Sequence, residues 1–437
     1  MAGHTKPGLS CSSFGYPSDT VRVRFAVRFS PCGGQPSSNF VTLHKFFLAI
    51  GKCMDQKVKQ RIFLSVFFFL SGICFSTWAS RIPTIKTSFQ YNNAELGTLL
   101  LLMPISSLLG LPISGWLVSR FDSRVPIMIA LTSISFFLLL IGLASTTFLL
   151  AIIVCLFSFS LRIMNISVNT QSIALQKKFG RNINGSFHGL WSTGGIVGVG
   201  LSTLFVGFDI PISIHFASVA FVAVIIAIFC YPHLMQNDRS TSGNKLNLTK
   251  PDPYIVYLGL LIFLASLLEG GMFDWSGVYF KEVVNEKLFT LGYFSFMIFM
   301  ASSRFASDWL IENMGMSKTF IFSALLMFFG ISLAIVFPTF WFCMLGFCLT
   351  GLGTAAVVPM VFSLAGHSKK YSPGVAISII ATYSIAGMLI GPALIGYVAQ
   401  AFHLRMAFIT FAIAALLLIP VSQLFFKFQR EETLDSH

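Results

Sequence analysis

Long apolar runs, separated by short polar stretches, fill most of the chain from Ile62 onward. A helix that crosses the hydrocarbon core of a bilayer needs about 20 consecutive, mainly apolar residues. Runs of that length recur along the chain, and the pattern predicts an all-α membrane protein with twelve transmembrane helices. The predicted segments lie near 62–82, 95–118, 125–144, 147–174, 187–208, 211–231, 254–275, 290–311, 317–337, 340–364, 374–399 and 405–426.

The longest polar interruption between these segments, 232–253, separates two sets of six. We therefore predict an N-terminal six-helix bundle at 61–231 and a C-terminal six-helix bundle at 254–427. The interruption itself is predicted to be a cytoplasmic linker.

The two ends of the chain, 1–60 and 428–437, are predicted to be cytoplasmic tails. The first of them is basic and rich in turn residues, and it lacks the architecture of a signal peptide. It is either a disordered tail or an upstream extension of a protein whose native start is Met54.

Composition supports a chain that is surrounded by lipid. Hydrophobic residues make up 55% of the 437 positions and charged residues 10%, against roughly 25% charged residues in soluble domains. So little charge cannot cover the surfaces of soluble domains of this total length. The net charge of +13 would indicate a nucleic-acid partner for a soluble protein. Here the basic residues lie in loops beside the apolar segments, so no nucleic acid is expected.

The sequence contains no signature of an enzyme. Its eight cysteines are scattered without a C-x-x-C pair, so neither a disulfide framework nor a zinc site is expected. A Walker lysine loop, an H-E-x-x-H motif and a serine elbow are also missing from the sequence. We expect neither catalysis nor a cofactor.

Basic residues are distributed unequally between the two sets of loops. Loops rich in Lys and Arg stay on the cytoplasmic side of a membrane. The poorer set, which is therefore predicted to be outer, contains Arg81, Lys86, Lys281, Lys287 and Arg405. This assignment places both termini in the cytoplasm.

The two halves carry related sequences at a nearly constant spacing. The segment 115–122 aligns with 308–315 at an offset of 193 residues, and other positions keep an offset of 192 or 193. They are Ser192, Gly195 and Gly198 in the first half and Ser384, Gly387 and Gly391 in the second. Parallel repeats of six helices are the plan of transporters whose halves rock about a site near the membrane midplane.

Several short motifs occur in order along the apolar segments. They are Trp78-Ala-Ser-Arg-Ile-Pro-Thr-Ile85, Glu95-Leu-Gly97, His188-Gly-Leu-Trp-Ser-Thr-Gly-Gly195, Glu269-Gly-Gly-Met-Phe-Asp-Trp-Ser276 with Tyr279, Arg304 with Asp308, and Gly391-Pro392. In these motifs residues 60–427 resemble the major facilitator superfamily, and in particular a bacterial branch near the fucose-permease type of sugar transporter. The resemblance implies a monomeric transporter of the bacterial inner membrane that moves a sugar or related small solute by alternating access.

The sequence departs from the family pattern at charged positions. The family's loop motif, Gly-x-Leu-x-Asp-Arg-x-Gly-x-Arg, is incomplete, because Ser119 replaces its Asp and Asp122 its second Gly. The resemblance still assigns gating roles to Arg120 and Arg124 of this loop. In the fourth segment, Asn165 and Gln176 stand where this branch often has acidic residues.

A polar stripe interrupts the apolar fourth segment. Ser158, Arg162, Asn165, Asn169 and Gln176 follow helical spacing. Arg162 lies near the predicted midplane, where a charged side chain costs at least about 2.5–3.5 kcal/mol. The stripe either lines a water-filled cavity or hydrogen-bonds neighbouring helices and stabilises the bundle. We favour the cavity and hypothesise that Arg162, Asn165 and Asn169 bind a polar or anionic solute.

A second charged residue, Glu269, lies well inside the seventh segment. Such a carboxyl group can hold a proton in one state of a cycle and ionise when a cation approaches. We hypothesise that Glu269 couples transport to protons, and the alternative is a permanent ion pair with Arg162 or Arg81. Asp274 is a second proton-coupling candidate, although five helical residues turn it about 140° away from Glu269. A role for Asp274 as an outer cap or gate is an equal alternative.

Aromatic and charged residues near the segment ends complete the candidates. Trp78 and Trp275 either stack on the solute or belong to the aromatic belt at the membrane surface. Arg304 and Asp308, four residues apart in the eighth segment, are predicted to form a salt bridge at a cytoplasmic gate. The rival functions are a drug or metabolite exporter of the same fold and a non-transporting membrane receptor.

Overall fold

The computed structural model describes residues 55–180, 183–239, 252–368, 370–371 and 373–434. Within these ranges the chain forms α-helices joined by short loops, with a 3-10 turn at Tyr231–His233 and no strand. The α-helices are α1 Gln56–Ser80, α2 Ile82–Ser88, α3 Asn93–Arg120, α4 Arg124–Leu143, α5 Thr147–Phe179, α6 Asn184–Gly207, α7 Ile212–Cys230, α8 Pro253–Glu282, α9 Thr290–Met314, α10 Met316–Val336, α11 Phe340–Gly366, α12 Pro373–Phe402, α13 Leu404–Ala407 and α14 Ile409–Leu434.

The predicted all-α membrane fold is confirmed. Eleven helical segments of the described chain are long and apolar enough to cross a membrane, and each coincides with a predicted segment. The remaining prediction, 290–311, is the 25-residue helix α9. Boundaries differ by a few residues, most clearly at the seventh segment, which is predicted to end near 275 and ends at Glu282. The ring of Phe408, just before the start of α14, lies 4.3 Å from that of Tyr279 near the end of α8, so α14 runs away from loop 283–289 and Leu434 lies on the same face as Asp55.

The predicted tails and linker are only partly described. Residues 1–54, with the predicted start at Met54, lie outside the described ranges, as do 240–251 of the linker. Residues 54–437 form one compact unit, and the division of the chain at 232–253 stays a prediction.

Local sequence accounts for several helix ends. Asp55 caps α1 by accepting a hydrogen bond from Lys57 N at 3.2 Å. Asn92 and Glu95 form a reciprocal capping box at the start of α3. Helix α5 ends where Gly180 adopts φ +63°, a left-handed conformation that is nearly free of steric cost for glycine.

Glycines let helices approach closely at matching places in the two halves. A Cβ at Gly198 of α6 would lie 2.8 Å from Ile73 O of α1, and a Cβ at Gly391 of α12 would lie 2.6 Å from Leu267 O of α8. No side chain fits at such distances, so the backbones pack directly on each other. The pairing of α1 with α6 and of α8 with α12 follows the predicted repeat.

The first six transmembrane helices and the last six meet near one face of the molecule, which contains the loops 89–92, 208–211 and 283–289. We name it the closed face. The opposite face, to which Asp55 and Leu434 belong, is the terminal face. Polar side chains join the two sets of helices across the closed face, including the ion pair between Lys287 and Asp209 at 3.0 Å.

Helix α3 shows how the separation of the two sets changes along the molecule. Near the closed face, a Cβ at Gly97 would lie 3.0 Å from Gly396 Cα of α12. Gly115 lies about five full turns further along α3 and therefore on the same side of the helix. A Cβ at Gly115 would have no atom within 4 Å. The side of α3 that touches α12 near the closed face is thus uncovered near the terminal face.

Candidate functional site

An ion pair and a hydrogen bond connect the two sets of helices in the interior of the molecule. Glu269 Oε1 of α8 and Arg304 Nη2 of α9 lie 3.2 Å apart. Arg304 Nη1 donates to Ser192 Oγ of α6 at 2.8 Å. Glu269 is buried, with 8% of its surface exposed, whereas Arg304 is half-buried. One guanidinium therefore joins a buried carboxylate to the opposite half of the protein.

The partner of Glu269 is not one of the arginines that the sequence suggested. Among the described residues, neither Arg162 nor Arg81 forms an ion pair with Glu269, and Arg304 does. The expected alternative partners were therefore wrong, because Arg304 of α9 reaches Glu269, whereas Arg162 bonds to Ser107 of α3 and Arg81 to His215 of α7. Arg304 lies in the middle of α9, so it reaches the interior. Its predicted gating role with Asp308 stays a prediction, and the side chain of Asp308 lies outside the described structure.

Part of the polar stripe on α5 packs against α3. Arg162 Nε donates to Ser107 Oγ at 2.7 Å, and Ser158 Oγ donates to Met103 O at 2.6 Å. A Cβ at Gly110 would lie 3.2 Å from the Arg162 side chain, so a glycine makes room for the arginine. These contacts stabilise the helix pair, as the alternative interpretation of the stripe requires.

The rest of the stripe is less constrained. Asn165 is exposed, and Asn169 Nδ2 donates to Asn165 O of its own helix at 2.8 Å. The terminal nitrogens of Arg162 have no hydrogen-bond or ion-pair partner among the described residues. Arg162 thus combines one structural contact with donors that remain free for a ligand.

Trp78 and Trp275 are both fully buried. Trp275 Nε1 donates to Pro392 O at 3.0 Å, and Trp78 lies beside Phe157 with 6.1 Å between ring centroids. Neither ring has exposed surface in this conformation, so neither contacts solute or lipid here. Their predicted role in stacking on a solute stays a prediction.

Asp274 lies near the candidate site but apart from the ion pair. It lies on α8, five residues after Glu269, and the described residues give it no hydrogen-bond or salt-bridge partner. Tyr293 of α9 lies within electrostatic range of both Asp274 and Glu269. Its hydroxyl and that of Ser76 on α1 are both buried and lie close to each other. The two acids therefore flank one tyrosine, although they do not share a helix face.

The loop between α3 and α4 forms an ionic cluster on the terminal face. Asp122 lies 3.3 Å from Arg239 Nε and 4.0 Å from Arg124 Nε. Asp122 is one of the residues that depart from the family motif, and it supplies a carboxylate that position 119 lacks. Arg120 is exposed at the end of α3. Gating by Arg120 and Arg124 stays a prediction.

Sequence reasoning missed three residues that organise these regions, namely Ser192, Gln171 and Asp238. Asp238 accepts hydrogen bonds from the backbone N of Ser123 at 2.9 Å and from its hydroxyl, while Gln171 Nε2 donates to Ser123 Oγ at 2.7 Å. The repeat pattern had marked Ser192, but nothing in it indicates a bond to Arg304. A glutamine inside the apolar fourth segment was the available signal for Gln171.

No metal site is evident in the part of the chain that the structure covers. Within those ranges, no group of three or more His, Cys, Asp or Glu side chains could hold a metal ion. The cysteines described there, Cys74, Cys155, Cys230, Cys343 and Cys348, are free.

The sequence matches known proteins over most of its helical part. The model of the Major Facilitator Superfamily matches residues 64–328 and 294–436. An uncharacterised MFS-type transporter of Yersinia pestis is 31% identical over 375 residues, which cover 85% of this chain and 96% of that protein. The uncharacterised transporter y4wD of Sinorhizobium fredii (strain NBRC 101917 / NGR234) is 34% identical over 367 residues, covering 81% of this chain and 96% of that protein.

Two solved structures share the fold. A mutant of the nucleoside transporter NupG has a TM-score of 0.69 at 13% identity, covering 85% of this chain and 100% of that one. A bacterial homologue of the human lysosomal transporter Spinster, in an inward-facing and occupied conformation, has a TM-score of 0.69 at 12% identity. It covers 84% of this chain and 96% of that one. At these identities the likeness concerns the fold alone.

Proposed function

The chain belongs to the major facilitator superfamily, and we propose that it is a proton-coupled transporter of the bacterial inner membrane that moves a small polar solute by alternating access. That it is a multi-pass membrane transporter follows from the family and the fold. The contact of Arg304 with both Glu269 and Ser192 is the observation that supports the finer statement. A buried carboxyl group at a link between the two halves supports a role for that group in proton exchange.

Glu269 is the proton carrier in the proposed cycle. When Glu269 takes up a proton, it loses the negative charge that holds Arg304 at 3.2 Å, and the ion pair opens. Because Arg304 also bonds to Ser192 of the other half, opening the pair changes the contact between the halves. Separating a buried pair without neutralising it would cost about 3–5 kcal/mol. Proton uptake is therefore coupled to the conformational change.

Arg162 and the neighbouring Asn165 provide the solute contacts in this proposal. The free terminal nitrogens of Arg162 suit an oxygen-rich or anionic solute, since a guanidinium carries only donors. The resemblance to sugar transporters and the fold shared with a nucleoside transporter make sugars and nucleosides the first solutes to test.

The orientation of the cycle follows from the predicted topology. If both termini are cytoplasmic, the closed face is the outer face, and the uncovered side of α3 at Gly115 opens toward the cytoplasm. The described conformation is then inward-facing. The other conformation requires the contact between Gly97 and Gly396 to separate.

Purified protein in liposomes under an imposed pH gradient tests the proposal. A panel of sugars and nucleosides is screened for accumulation, and proton movement is followed with a pH-sensitive dye. We expect at least one solute to accumulate and to drive proton movement. The Glu269→Gln variant should still exchange that solute between equal compartments but should lose accumulation against a gradient.

Glu431→Gln serves as the matched control, because Glu431 is an exposed acid near the end of α14 and should leave accumulation unchanged. The proposal of proton coupling fails if no solute moves protons. It also fails if Glu269→Gln accumulates solute as well as the unmodified protein.

A further inference from the structure

A cavity on the closed face lies between the two halves and is separate from the Glu269–Arg304 pair. Its volume is about 420 Å³. Arg81, Thr84 and Asp209 line it from the first half, and Lys281, Glu286 and Lys287 from the second. The site therefore exists only while the two halves are together at this face.

Arg81 is the unusual residue of this cavity. It is buried, with 4% of its surface exposed, and no carboxylate among the described residues lies within 4 Å of its guanidinium. Its Nε donates to His215 Nδ1 at 3.2 Å, and Nη2 donates to Ile210 O at 3.1 Å. These two bonds leave the remaining N–H groups of the guanidinium without an acceptor in the described structure. Buried charges are normally paired, whereas this arginine has no counterion in the described part of the chain.

The other charged groups that line the cavity are already engaged. Lys287 pairs with Asp209 at 3.0 Å, and Glu286 accepts a hydrogen bond from Leu288 N at 3.3 Å. Lys281 Nζ donates to Thr87 Oγ1 at 2.6 Å. Three cationic and two acidic side chains thus line the cavity, which leaves one net positive charge, and Arg81 is the buried member of the three cations.

We infer that this cavity binds a small oxyanion, a carboxylate or a phosphate, through the free N–H groups of Arg81, and that its occupancy holds the closed face shut. Because residues of both halves form the site, the ligand binds the closed arrangement and not the separated one. At a ligand concentration ten times Kd, the ratio of closed to separated molecules rises about 11-fold. Such a ligand slows the transport cycle without occupying the central site.

Direct binding to purified protein tests the inference. Inorganic phosphate and acetate are titrated calorimetrically at constant ionic strength, with chloride as the replacement anion. We expect saturable binding of at least one probe and at least a tenfold loss of affinity in Arg81→Gln. Arg405→Gln is the matched control. Arg405 also donates to backbone carbonyls, at 2.6 Å to Ile335 O, but it does not line the cavity.

A second variant keeps the inference testable if Arg81→Gln does not fold. Thr84→Trp fills the cavity and keeps the arginine, and it should also abolish binding. The inference is overturned if neither probe binds saturably to the unmodified protein. It is equally overturned if the cavity variants bind the probes as tightly as Arg405→Gln does.

Two sources of the oxyanion fit the site, a free anion and a lipid headgroup. Comparing binding in detergent with binding in a lipid bilayer distinguishes them. If binding measured in detergent disappears in nanodiscs of phosphatidylglycerol, a lipid phosphate occupies the site. If it persists there, the ligand is a soluble anion. Both results support an oxyanion site. The assay uses neither a pH gradient nor a transported solute, so its outcome is independent of the proposed proton coupling.

Discussion

The interior and the closed face hold the two halves together by different means. In the interior, one half-buried guanidinium bridges a buried carboxylate and a serine of the other half. At the closed face, backbones meet at Gly97 and Gly396, and the polar links range from the partly buried pair of Lys86 and Glu282 to the exposed pair of Lys287 and Asp209. The interior link therefore depends on charge, which is why we propose that it responds to a proton. The closed face combines close backbone packing with polar links between the halves.

Removing the cation of the interior link should have the largest effect. Arg304→Met leaves Glu269 buried without its partner, which costs about 3–5 kcal/mol when the carboxylate stays ionised. We expect a large fall in the apparent Tm in detergent. The double variant Glu269→Gln/Arg304→Met should recover most of this loss, because it removes both charges. If the double variant is as unstable as Arg304→Met, the pair does not hold the interior together.

A larger residue at the closed face should have the next largest effect. Gly97→Leu places a side chain where a Cβ already lies 3.0 Å from Gly396, and overpacking of this kind costs about 1–3 kcal/mol. The closed arrangement should lose population, seen as a longer distance between spin labels attached at Phe208 and Glu286. Gly115→Leu is the matched control on the same side of the same helix, where space is open. Equal distances between the labels in the two variants would contradict tight packing at Gly97 and open space at Gly115.

The partly buried pair of Lys86 and Glu282 should matter less. Lys86 Nζ donates to Glu282 and also to Asn93 Oδ1 at 2.6 Å, and hydrogen bonds to charged groups contribute about 1.5 kcal/mol or more. Glu282→Gln should therefore lower the apparent Tm of the closed protein by a few degrees. A loss as large as that of Arg304→Met would show that the closed face depends on charge as much as the interior link does.

The exposed pair of Lys287 and Asp209 should have the smallest effect. Their side chains are 68% and 74% exposed, and exposed ion pairs contribute at most about 1 kcal/mol. Asp209→Asn should change the apparent Tm only slightly, and the difference should vanish at high salt, where the charges are screened. A difference that persists in 1 M salt would indicate that this pair is shielded from solvent.

Much of the fold was predictable because it depends on short-range chemistry. Apolar length predicted each long helix, the Asn92–Glu95 box sets the start of α3, and the repeat of Ser192 with Ser384 anticipated which helices are equivalent. The same equivalence failed to predict contacts. Ser192 bonds to Arg304 of the other half, whereas Ser384 bonds to Ser266 of its own half at 2.7 Å.

The candidate site was only half predictable. Arg162 and Glu269 were recognisable as rare charges within apolar segments, since burying a charge without a partner or a purpose is costly. The partners of these two charged residues were not recognisable from the sequence. Ser107 accepts from Arg162 at 2.7 Å, and a serine inside an apolar helix carries no comparable signal.

By itself, the sequence determined where the long apolar helices lie, to within a few residues, and which few charges lie inside them, because the bilayer limits each segment independently. Only the tertiary structure decided that Glu269 pairs with Arg304 and not with Arg162 or Arg81, and that Arg81 faces a cavity with no counterion. All three arginines lie inside or beside apolar helices, and their local sequences do not indicate which one pairs with Glu269. Which arginine reaches Glu269 depends on where the packing of all the helices places each of them relative to α8.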